Sequence, residues 1–71
     1  MENLKISLEA ARVNAKKTQE EVAQYLGIHR DTYRKYERGE LAFRMDMAVK
    51  FSEYVNLPLE NINFSLPQNI A

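Results

Sequence analysis

The sequence predicts an all-α domain of five short helices, and three observations lead there. Apolar residues recur three and four apart over several stretches, the period of a helix with one buried face. Two glycines and two prolines in 71 residues give too little punctuation for a set of strands and turns. No stretch alternates apolar and polar residues for long.

The first helix is expected over residues 4–15, where Leu4, Leu8, Ala11 and Ala15 fall on one face. The second starts at a capping box: Thr18 is followed three residues later by Glu21, and each side chain can accept from the other's backbone N–H. Val22, Ala23 and Leu26 form its apolar face, and Gly27 ends it. Ile28 fills the turn. A third helix over residues 30–38 stops at Gly39; Tyr33 and Tyr36 are read as its core side, with Arg30, Arg34 and Lys35 on other faces. A loop at residues 40–43 leads to a fourth helix over residues 44–56, with Met45, Ala48, Phe51, Ser52 and Val55 as the inward stripe. Pro58 suits the first turn of a short fifth helix carrying Leu59 and Ile62. Residues 64–71 read as an extended or disordered tail to a domain of residues 1–63.

A chain of this length is near the lower limit for an unaided hydrophobic core, and without cysteine it has no disulfide or thiolate metal site to supplement one. A second subunit is therefore an expected source of further burial. No apolar run reaches the roughly 20 residues of a membrane span, and the first residues do not read as a leader, so the cytoplasm is the expected compartment. The net charge is zero but unevenly spread. Lys16, Lys17, Arg30, Arg34, Lys35 and Arg38 face Glu20, Glu21, Asp31 and Glu37 in residues 15–39, a net of +2. Residues 40–71 carry Arg44 and Lys50 against Glu40, Asp46, Glu53 and Glu60, a net of −2.

Function is concentrated in residues 18–39. Two short capped helices around a turn of glycine and one apolar residue have the spacing of a helix-turn-helix. Reading a major groove needs a protruding helix, crossed by the one before it and polar on its outer face. The helix from Arg30 has that character, with Arg30, Asp31, Arg34 and Lys35 free to project. His29 has no second ligand residue nearby and is read as capping or solvated, not as metal-binding. Glu20 and Glu21 suit the positive end of a helix better than acid–base chemistry, since no nucleophile accompanies them. No catalytic constellation, cofactor site or small-molecule substrate site is read here.

Over about residues 5–62 the chain resembles the Xre-type helix-turn-helix domains of the phage lambda repressor and Cro. The likeness rests on Arg12, Thr18-Gln19, Ala23, Leu26-Gly27-Ile28, Thr32, Tyr36-Glu37-Arg38-Gly39 and the stretch LPLENI at residues 57–62. It implies a five-helix domain that binds double-stranded DNA as a homodimer, a transcriptional regulator and most simply a repressor. Arg30, Asp31, Arg34 and Lys35 would then contact bases; Gln19, Thr32, Arg38 and His29 would hold the backbone; and Arg12 and Glu37 would form an interior ion pair.

The chain departs from that pattern at several points. Lys16 stands where a helix-ending glycine is usual, which predicts a strained positive φ. Lys17 replaces an apolar staple, and His29 replaces a capping serine. Glu40-Leu41-Ala42-Phe43 replaces a basic loop, leaving Leu41 or Phe43 available for a subunit contact. The non-basic loop at residues 40–43 and the zero net charge support an alternative, a protein-interaction module on the same fold, such as an antitoxin that neutralises a protein partner.

Overall fold

The computed structural model describes residues 5–64. Four α-helices follow one another: α1 (Leu8–Asn14), α2 (Gln19–Leu26), α3 (Arg30–Glu37) and α4 (Met45–Val55). A single 3-10 turn, Leu59–Asn61, stands where a fifth α-helix was expected. Pro58 begins that turn, but Ile62 is already extended, because its backbone is drawn into pairing with the start of the chain. No helix among the described residues is long and apolar enough to cross a membrane.

The first helix begins later than its apolar period suggests. Ser7 caps α1 by accepting from the Ala10 N–H at 3.0 Å, and Glu9 in the first turn suits the helix dipole. Ile6, expected to be helical, instead makes a parallel bridge to Ile62: the Ile6 N–H donates to Asn61 O at 3.0 Å, and the Asn63 N–H donates to Ile6 O at 2.8 Å. The bridge fastens the two ends of the domain together. Leu4, assigned to the same apolar face, lies outside the described residues.

α2 starts at the expected capping box, with Glu21 N–H to Thr18 Oγ1 at 3.0 Å and Thr18 N–H to Glu21 Oε1 at 2.8 Å. Gly27 ends α2 at φ 76°, in the left-handed region. A Cβ there would meet nothing within 4 Å, so the position demands glycine for its backbone angle and not for space. Lys16 also adopts φ 62°. That turn is fixed by the Lys17 N–H donating to Arg12 O at 3.2 Å and by Arg12 Nη1 donating to Lys17 O at 2.9 Å.

One core joins all the elements: Leu8 and Ala11 from α1, Val22, Ala23 and Leu26 from α2, Tyr33 from α3, Phe51 and Val55 from α4, and Ile62. Met45 departs from its expected place in the inward stripe, being 72% exposed, while Ala48, Phe51, Ser52 and Val55 are buried. Met45 is the first residue of α4 and lines the rim of an open hollow with Phe43, Ala48 and Phe64. Phe43 is not a free loop residue: its ring lies 4.5 Å from Tyr36, 5.6 Å from Phe51 and 5.7 Å from Phe64. Phe64, placed at the start of the tail, therefore packs on the body; residues 65–71 lie outside the described part. On the opposite side Tyr25 stacks on Tyr54 at 4.1 Å, and the Lys17 ammonium lies 4.7 Å from the Tyr54 ring. Lys17 thus covers an aromatic where an apolar staple would have packed.

Candidate nucleic-acid interface

α3 is anchored by Tyr33, with Tyr36 half-buried against Phe43 and Glu37 bonded to Arg12. Tyr33 is fully buried, and it is the only residue of α3 that is. Arg30, Asp31, Arg34 and Lys35 are exposed. The helix is thus held along one line and presents its charged residues outward. Its first turn carries Asp31 and its last Arg34 and Lys35, so the charges also suit the helix dipole.

His29 caps α3. Its Nδ1 accepts from the Asp31 N–H at 3.0 Å, which places the ring proton of the neutral imidazole on Nε2. The Asp31 carboxylate lies 3.8 Å from Arg34 Nη1, a loose solvent-exposed contact of little energetic weight. Asp31, Arg34, Lys35 and Arg38 together line a shallow depression on this surface. Thr32 is half-buried. Arg38 Nε donates to Glu40 Oε2 at 2.8 Å. This exposed bond raises the arginine pKa and lowers that of the carboxyl, and it engages Arg38 within its own loop.

The N-terminal end of α2 meets the first residue of α3. Arg12, Lys17, Thr18, Gln19, Glu20 and Arg30 line one open hollow there. Beneath it Arg12 Nε donates to Glu37 Oε2 at 2.6 Å and Arg12 Nη2 to Glu37 Oε1 at 3.4 Å. Both side chains are largely removed from water, 12% exposed for Arg12 and 7% for Glu37. Gln19 Nε2 donates to the same Glu37 Oε1 at 2.9 Å. Burial opposes ionisation of Glu37, but Arg12, the adjacent Tyr33 hydroxyl and Gln19 outweigh it and hold the carboxyl below its usual range. The Tyr33 hydroxyl is buried without a well-aligned hydrogen-bond partner, and burial first, then the Glu37 carboxylate, raise its pKa.

The structure thus brings Gln19, Arg30, Asp31, Arg34, Lys35 and Arg38 to two adjoining places, whereas His29 caps the start of α3 and Thr32 is half-buried. Arg30, Asp31, Arg34 and Lys35 share the outer face of α3, with Arg38 just past its end. Gln19 stands beside Arg30 but is tied inward to Glu37. Sequence reasoning missed that bond and the presence of Lys17 and Glu20 around the hollow. The residues at 19 and 37 belong to different helices, so no local period relates them; only the packing of α2 on α3 brings them together.

Two short helices, a glycine turn between them and a second helix buried along one side and charged along the other define a helix-turn-helix protein. The family model described as helix-turn-helix matches residues 8–62, and the chain belongs to that family, the Xre and lambda repressor-like DNA-binding regulators of transcription. No curated protein matches the chain.

Proposed function

We propose that this protein regulates transcription by sequence-specific binding to double-stranded DNA, as a repressor acting as a homodimer on a two-fold related operator. α3 of each protomer enters a major groove, with half-sites about 34 Å apart. The observation that carries this reading is the division of α3 between one buried tyrosine and an outer face bearing Arg30, Asp31, Arg34 and Lys35. Arg or Lys pairs with the guanine O6 and N7 acceptors, and Asp31 accepts from a cytosine amino group. Gln19, Thr32, Arg38 and the Nε2–H of His29 hold phosphates, and these contacts set register without reading sequence. Arg38 exchanges its exposed bond with Glu40 for a phosphate.

Selection of bound duplexes from a randomised oligonucleotide pool tests this reading. A single enriched motif with two-fold symmetry is the expected result, and its symmetry reports the dimer. Recovery of unenriched sequence contradicts it. The zero net charge and the Arg38–Glu40 pair favour a second reading, a protein-interaction module on the same fold. Salt separates the two. DNA affinity falls linearly with salt on a log–log plot as counterions are released, whereas a mainly apolar protein contact responds weakly.

A further inference from the structure

We infer that Glu37 is a positioning residue for the phosphate contact of Gln19, an assignment that rests on the DNA-binding reading above. A glutamine amide has two unlike ends, and only its N–H groups attract a phosphate oxygen. An ionised carboxylate only accepts, so Glu37 Oε1 at 2.9 Å compels the Nε2 end of Gln19 to face it. That leaves the second Nε2–H for a phosphate and fixes the carbonyl end. Glu37 is itself immobilised by Arg12 at 2.6 Å, and Arg12 is tied to Lys17 O at 2.9 Å, so the chain of contacts reaches the turn before α2. Arg12 also neutralises the charge that Glu37 would otherwise hold near a phosphate. A glutamine at position 37 would offer Gln19 both a donor and an acceptor, and the amide would be free to turn over.

The test is the affinity of four proteins for a random-sequence duplex at low ionic strength: the wild type, Gln19→Ala, Glu37→Gln and the double variant. Gln19→Ala is expected to weaken binding roughly tenfold, the effect of one hydrogen bond to a charged acceptor. Glu37→Gln should lose a comparable factor although Gln19 is intact, and the double variant should lose no more than Gln19→Ala alone. A structural role would lower the melting temperature of Glu37→Gln while leaving the affinity of its folded form unchanged, or would give losses that multiply in the double variant; either result overturns the proposal. Should Glu37→Gln not fold, the wild type supplies the answer through the nitrogen-15 signals of the Gln19 side chain. Protection of one of its amide protons from exchange should persist when random-sequence duplex saturates the protein, and its disappearance overturns the proposal. Absence of wild-type binding would overturn the DNA-binding reading and this one with it. A weakened Gln19→Ala beside an unchanged Glu37→Gln overturns this one alone.

Discussion

Arg12 and Glu37 couple stability to charge at single residues. Each is nearly enclosed, and removing one leaves the other buried and unpaired. Arg12→Met or Glu37→Ala should therefore cost about 3–5 kcal/mol in urea unfolding, even though the intact pair need add little net stability. The same pair sets the acid limit. Glu37 titrates below its ordinary 4.5 when folded, so its contribution is fully present above that value. It is lost as the pH falls from there through the depressed value, and a urea midpoint that declines below about pH 4.5 is expected. In Glu37→Gln that part of the decline should disappear. Lys16 carries the opposite kind of effect. At φ 62° it bears backbone strain, and Lys16→Gly should raise stability by up to about 1 kcal/mol, roughly 4–8 °C in Tm for a domain of this size.

At the scale of elements, the ends of the helices were legible where a local signal specifies them. Thr18 with Glu21, and Gly27 after Leu26, mark α2 because capping and left-handed angles are chosen by the residues themselves. The start of α1 was less so. The period of Leu4, Leu8 and Ala11 extends the helix too far, and the cap at Ser7 is overlooked without knowledge that Ile6 pairs with Ile62. The fifth helix failed for the same reason: Leu59 and Ile62 are apolar, but tertiary pairing of Ile62 limits the segment to one turn. Arg34→Ala or Lys35→Ala should abolish the preference for the selected operator over random duplex, whereas Gln19→Ala should weaken both about equally. Competition binding against both duplexes measures this, and equal losses in all three variants would contradict the assignment of reading residues.

For the whole molecule, the fold class and the helix-turn-helix follow from the chain because short-range signals agree with the global packing. The contacts that cross between elements do not follow. Phe43 reads as a free loop residue until Tyr36, Phe51 and Phe64 are seen around it, and Gln19 gives no local sign of its bond to Glu37. The same limit explains how a neutral chain carries a charged outer face on α3: acidic residues 40, 46, 53 and 60 offset cations gathered in residues 15–39. Sequence order locates them, and only folding shows that Arg30 adjoins the end of α2. The most direct measurement is a set of amide nitrogen–proton spectra recorded as the selected duplex is added. Shifts are expected to concentrate at residues 18–20 and 29–38, the start of α2 and the length of α3. Shifts confined to α4 and the turn at Leu59–Asn61, with α3 unmoved, would contradict an interface on α3.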